Sequence, residues 1–187
     1  MVTSAFPGEG KTHVAANLAA SIAMGVNHHV LLVDSDFRHP NLHSLFGHVN
    51  EQGLWDYLTG KRILPELLVR TKMERLSLLP AGRPGRDHVE MLSSAKMKDF
   101  LQEVKARYQD RYIIVDAAPS HVMAEAGVLS HYVDGIIYVV MAQRAPRGTI
   151  QRSIDHLGRE KVLGVVFNGY SESHKPYDKY YKKYAPK

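Results

Sequence analysis

Residues 1–24, MVTSAFPGEGKTHVAANLAASIAM, constrain this chain more than any other stretch. A short β-favouring start, Val2-Thr3, runs into Ala5-Phe6-Pro7-Gly8-Glu9-Gly10-Lys11-Thr12. An Ala- and Leu-rich segment of helical character follows directly. Strand, tight Gly/Pro turn and helix N-terminus in that order are the setting a phosphate-binding loop requires. Gly8 and Gly10 admit backbone angles that other residues avoid, so successive N–H groups can turn inward around an anion. The helix starting near Lys11 adds its positive dipole end and its unpaired N–H groups. In such a loop Lys11 reaches the β- and γ-phosphates and the Thr12 hydroxyl ligates Mg²⁺. The cradle comprises Pro7, Gly8, Glu9, Gly10, Lys11, Thr12 and His13. The strict pattern opens on Gly, and Ala5 stands there. A plain Gly-rich turn ahead of an amphipathic helix would not need Gly-Lys-Thr at the junction, so the stretch predicts binding of a nucleotide with Mg²⁺.

The rest of the chain repeats one theme, apolar strand followed by helix. His29-Val30-Leu31-Leu32-Val33-Asp34 and Arg111-Tyr112-Ile113-Ile114-Val115-Asp116 are apolar runs that end in an acid, as buried parallel strands do. Leu76 to Leu79, Gly135 to Val140 and Val162 to Asn168 read as further strands. Helices are predicted at Leu42 to Phe46, Gly53 to Leu58, Leu64 to Val69, Val89 to Tyr108, Ala124 to His131 and Gly148 to Leu157. Alternation of this kind predicts a doubly wound α/β fold, a mostly parallel sheet flanked by helices with ligands at the carboxyl ends of the strands. One domain is expected over 1–169, followed by a flexible Tyr/Lys-rich tail over 170–187.

Composition narrows the class. At 187 residues, 44% hydrophobic and 23% charged, the chain has the makings of a single soluble domain. No apolar run approaches a membrane span, and the N-terminus lacks a signal-peptide design. Zero cysteines removes disulfides and thiolate metal sites and fits a cytoplasmic setting. The eleven histidines are scattered, with no convincing ligand set among His28, His29, His13, His39, His43 and His48. The net charge of +5 is concentrated at the C-terminus, where five Lys face only Glu172 and Asp178. That distribution is unlike a nucleic-acid-binding domain, so no nucleic-acid partner is expected.

Three acids stand at strand ends: Asp34, Asp36 and Asp116. Phosphoryl transfer needs a bridging metal and a group that positions or deprotonates the nucleophile. Asp116, after Tyr-Ile-Ile-Val, suits a metal-holding role, with the Thr12 hydroxyl as its companion. Asp34 and Asp36 lie two apart, so one can face the metal while the other approaches an incoming hydroxyl. Acids that merely cap following helices are the alternative, weakened by three occurring beside one phosphate loop.

Together the segments Ser4 to Thr12, Val30 to Pro40 and Tyr112 to Asp116 resemble the Walker A, A′ and B motifs of bacterial tyrosine autokinases, the kinase domains that control capsular and extracellular polysaccharide export. Leu79-Pro80-Ala81-Gly82, Gly53 to Leu58 and Val162 to Asn168 match family habit. Leu79 to Arg83 and Arg107 to Tyr112 resemble in particular the exosortase-associated branch. The resemblance implies Lys11 and Thr12 on ATP and Mg²⁺, Asp34 as base, Asp36 and Asp116 at the metal, and Asn168 on adenine. Related partitioning and cell-division ATPases carry an extra Lys where Phe6 stands, which favours the kinase branch. Two departures are notable: Ala117-Ala118-Pro119-Ser120-His121 replaces a run with two prolines, and the acid a few residues later is Glu125.

Five of the ten tyrosines fall between Tyr170 and Tyr184. The family phosphorylates such a cluster in trans, which here makes Tyr177, Tyr180, Tyr181 and Tyr184 the expected acceptors. The rival for this tail is an aromatic-basic arm for anionic membrane or single-stranded nucleic acid. The resemblance further implies a membrane-anchored co-polymerase-type activator that recruits the domain to the inner face of the plasma membrane. The chain begins inside the first strand, without the upstream Arg/Glu oligomerisation helix of relatives, so homo-oligomerisation is an expectation from the resemblance alone. The alternatives are an ATPase switch without tyrosine kinase activity and a degenerate nucleotide-binding module.

Overall fold

The computed structural model describes residues 1–25, 27–107 and 110–171. In chain order the elements are β1 (Val2–Ser4), α1 (Lys11–Met24), β2 (His29–Asp34), α2 (Leu42–Leu45), α3 (Leu54–Leu58), α4 (Leu64–Leu67), β3 (Val69–Arg70), β4 (Leu76–Leu79), α5 (His88–Leu92), α6 (Ala95–Arg107), β5 (Arg111–Asp116), α7 (Ala124–Ser130), β6 (Ile136–Met141), α8 (Arg147–Leu157) and β7 (Val162–Asn168). Among the described residues the strands form one seven-stranded sheet in the order β3-β4-β2-β5-β1-β6-β7. All pairings are parallel except β3 with β4. This is the doubly wound P-loop architecture the sequence predicts.

The two faces of the sheet are covered differently. On one, α1 lays a stripe of small residues (Ala15, Ala16, Ala19 and Ala23) over Val30, Leu32, Ile114 and Val139. Alanines at i, i+4 and i+8 let the helix approach the sheet closely, which brings its N-terminus over the end of β1. On the other face Phe100, Leu101 and Val104 of α6 join Leu31, Val33, Val115 and Tyr138 in a larger cluster. The chain leaves β1 toward β2 and returns through β5 before β6, so strand direction of travel reverses beside β1. Crevices of that kind, at carboxyl ends of parallel strands, are where such folds bind ligands.

Two predicted helices are corrected. Val89 to Tyr108 is not continuous: α5 ends at Leu92 and α6 begins at Ala95. Ser93 and Ser94 lie at the break, and the Ser94 hydroxyl donates to Met91 O at 2.6 Å. Serine offers the backbone this local alternative to a helix ladder, which apolar spacing does not register. Helix α4 closes at Leu67, and Val69-Arg70 pairs antiparallel with Leu78 and Ser77. Pro65 in its first turn opens that helix, and β-branched Val69 suits the sheet. Among the described residues no helix is long and apolar enough to cross a membrane.

Gly53 shows why α3 sits where it does. A Cβ there would lie 2.0 Å from Pro80 O, so only glycine allows the approach. Through that contact Leu54 and Trp55 donate their N–H groups to Pro80 O and Ala81 O at 2.8 and 2.9 Å. Two orphan donors of a helix N-terminus are satisfied, and the loop after β4 is tied down.

Candidate active site

The phosphate loop spans the end of β1 and the start of α1. Gly8 and Gly10 both take positive φ, 77° and 93°. The loop is braced from inside by a side chain that composition would place outside. Glu9 is fully buried, its Oε2 accepting the Phe6 N–H at 2.7 Å and its Oε1 the Met141 N–H at 3.3 Å. Asn168 at the end of β7 donates from Nδ2 to Glu9 O at 2.9 Å. Gln143, with φ 60°, turns the chain after β6, and Arg144 donates to Gly8 O at 3.3 Å. Four strand ends thereby meet at the loop, because the post-β5 segment joins too: Ser120 and His121 donate their N–H groups to Ser4 O and Ala5 O.

Inside this frame lie the charged groups. Lys11 Nζ is 2.7 Å from Asp36 Oδ2, 3.7 Å from Asp116 Oδ1 and 3.3 Å from Thr12 Oγ1. Burial by itself would lower the Lys11 pKa, but Asp116 and Asp36 outweigh it and hold it above the ordinary lysine value. Asp116 is pushed up to about 6, chiefly by burial and against the pull of Lys11. Asp34 is pushed up to about 8 by burial and by the neighbouring Asp116 charge. Its carboxylate is well occupied: Oδ1 accepts from Asp36 N at 3.2 Å, and Oδ2 from Asn41 N and Leu42 N at 3.2 and 3.1 Å. Three of roughly four acceptor positions on a carboxylate are used, leaving about one. Asp34 therefore also holds the 36–42 loop in place.

The structure brings Lys11, Thr12, Asp34, Asp36 and Asp116 together. His13 is exposed on the first turn of α1, and Asn168 lies beside the loop. Tyr177, Tyr180, Tyr181 and Tyr184 fall outside the described residues. Neither carboxylate oxygen of Asp116 has a hydrogen-bond partner although both are buried. Those two oxygens, their Lys11 ion pair long at 3.7 Å and the Thr12 hydroxyl beside them, fit a hard divalent cation. Among the described residues no group of three or more His, Asp or Glu forms a protein-only metal cage. A cation here would take the rest of its shell from phosphate oxygens and water, as Mg²⁺ does in phosphate loops.

The departures in the sequence also have places. Phe6 packs edge-on against His121 with ring centroids 5.3 Å apart, so the two unusual residues form one contact. Arg38 Nε and Glu125 Oε1 pair at 3.1 Å, joining the 36–42 loop to α7. The inward turn of Glu9 and the reach of Arg144 were not foreseen. A glutamate in a phosphate loop and an arginine just past a strand end were the available signals.

This fold and this site define a P-loop nucleotide-binding domain, and the AAA domain family model matches residues 3–161. The tyrosine-protein kinase YwqD of Bacillus subtilis is 33% identical over 171 residues, covering 90% of this chain and 71% of YwqD. The chain belongs to the bacterial tyrosine-protein kinases. The succinoglycan biosynthesis transport protein ExoP of Rhizobium meliloti is 31% identical over 174 residues, 89% of this chain but only 22% of ExoP. Among solved structures, the kinase domain of VpsO superposes with a TM-score of 0.83 at 30% identity, covering 91% of this chain and 84% of that one. The septum site-determining protein MinD of Pyrococcus horikoshii, solved with Mg-ADP, gives 0.74 at 26%, covering 97% and 74%.

Proposed function

We propose that the chain is an ATP-dependent protein-tyrosine autokinase acting in polysaccharide synthesis or export. It would transfer the γ-phosphoryl group of ATP to Tyr177, Tyr180, Tyr181 and Tyr184 of another copy. The observation that carries the reading is the buried cluster of Lys11, Asp36 and Asp116 at the mouth of the phosphate loop. Kinship with YwqD and ExoP supplies the class of reaction and the pathway.

In this reading the N–H groups of residues 7–13 cradle the phosphates, and Asn168 contacts the adenine. Lys11 exchanges its carboxylate partners for phosphate oxygens, which frees Asp36 and Asp116 to hold Mg²⁺ with Thr12. Bound Mg²⁺ supplies neutralisation of the charge on the β- and γ-phosphates. Asp34 takes the proton of the acceptor tyrosine, using the acceptor position that its loop bonds leave open. The phenolic oxygen bonds to the γ-phosphorus, the bond to the ADP oxygen breaks, and ADP leaves. A membrane-anchored activator is proposed as the partner, with recruitment to the inner membrane face.

The test is intact mass after incubation with Mg-ATP, wild type beside Lys11→Met and a deletion from Tyr177 onward. Several additions of about 80 Da, one per phosphate and absent from both variants, are expected. Additions that persist in the tail deletion would move the acceptors elsewhere, and ATP hydrolysis without any addition would leave an ATPase switch.

A further inference from the structure

Where the segment after β5 meets α8, a cation-lined recess of about 360 Å³ opens to solvent. None of residues 7–13 lines it, so it is separate from the phosphate cradle. Arg152 and His156 stand four apart on α8, which puts both on one face of the helix. His121 reaches the same recess from the post-β5 segment. The His156 ring is seated against α7 at Gly127, where a Cβ would lie 2.7 Å from Nε2. The wall that carries His121 is tied to the phosphate loop, through the Ser120 and His121 N–H groups on Ser4 O and Ala5 O at 2.8 and 3.3 Å.

No carboxylate among the described residues lines this recess. The acids close by in sequence are engaged elsewhere: Glu125 pairs with Arg38, and Asp155 with Arg159 and Gln151. Arg152 makes one long bond among the described residues, from Nη2 to Thr149 Oγ1 at 3.4 Å. A guanidinium flanked by two imidazoles offers N–H donors from two separate segments. That donor set suits an anion with several acceptor oxygens. Val122 and Met123 line the same recess, so its ligand has an apolar part as well. A volume of about 360 Å³ stands at the low end of ligand cavities, roughly 300–1,000 Å³, which suits one ring bearing one phosphoryl group.

We propose that this recess is a second anion site, whose ligand is a phosphoryl dianion. Arg152 takes two phosphoryl oxygens with its paired N–H donors, and His121 and His156 donate to the oxygens that remain. Two sources share that chemistry: free phosphate, and the side chain of a phosphorylated tyrosine, whose ring would rest on Val122 and Met123. The tyrosine source rests on the kinase activity proposed above, and the site itself does not.

The test is calorimetry on the full chain preloaded with Mg-ADP, so that the phosphate loop is filled, with sodium phosphate as the probe in one arm and phenyl phosphate in the other. Both probes are supplied ready-made, so the outcome is independent of whether the chain phosphorylates tyrosine. Saturable binding is expected, weakened at least about ten-fold by Arg152→Gln and by His156→Gln. Arg159→Gln, on the turn after α8 and outside the recess, should leave it unchanged. All three side chains are exposed, so the variants keep the fold. Tighter binding of phenyl phosphate assigns the site to phosphotyrosine, and sodium phosphate binding as tightly or more so assigns it to free phosphate. No saturable binding of either probe would overturn the proposal, as would binding that Arg152→Gln and His156→Gln leave unchanged.

Discussion

Lys11 is held between two buried carboxylates, and that arrangement has consequences without nucleotide as well as with it. Lys11→Met leaves Asp36 and Asp116 without their counter-charge, a change that costs about 3 kcal/mol for buried pairs. The loss should be largest near pH 8 and shrink toward pH 5, where a carboxyl with a pKa of about 6 becomes protonated and needs no partner. Urea unfolding of both proteins at the two pH values checks this.

At the scale of elements, the phosphate loop is a junction of strand ends, and Glu9 is its internal brace. Glu9→Gln keeps one acceptor oxygen where two are used, so either Phe6 or Met141 loses the acceptor for its buried N–H. A cost of about 1–3 kcal/mol is expected, with ADP affinity reduced roughly ten-fold by calorimetry as the cradle loosens. Gly53→Ala should be comparably damaging, because the added Cβ meets the Pro80 carbonyl and α3 undocks. Its signature is faster amide exchange at Leu54 and Trp55. How much of this was legible follows from range in the sequence. The Gly-Lys-Thr junction and the acids closing two apolar runs are local signals, so Lys11, Thr12, Asp34, Asp36 and Asp116 were readable directly. Glu9 to Met141, Arg144 to Gly8 and Asn168 to Glu9 join residues more than 130 apart, and only the sheet order brings them together. The Ser93-Ser94 break and the two-residue β3 escaped because hydrophobic spacing does not report side-chain competition for the backbone or a strand of that length.

For the whole molecule the proposed function is transfer between copies, with the loop of one chain serving the tyrosines of another. Two variants separate the roles: Lys11→Met retains the tail but lacks the phosphate-binding ammonium, and a deletion from Tyr177 onward retains the site but lacks the acceptors. Each alone should gain no phosphate from Mg-ATP beyond about a hundredth of the wild-type rate, since removal of such a charge-stabilising contact costs several kcal/mol. Mass spectrometry of the two variants mixed with Mg-ATP tests this transfer. Phosphate on Tyr177, Tyr180, Tyr181 and Tyr184 of the Lys11→Met chain, appearing only in the mixture and rising with the concentration of the tail-deleted chain, is the predicted result. A Lys11→Met chain that stays unmodified in the mixture while wild type alone becomes phosphorylated would contradict transfer between copies.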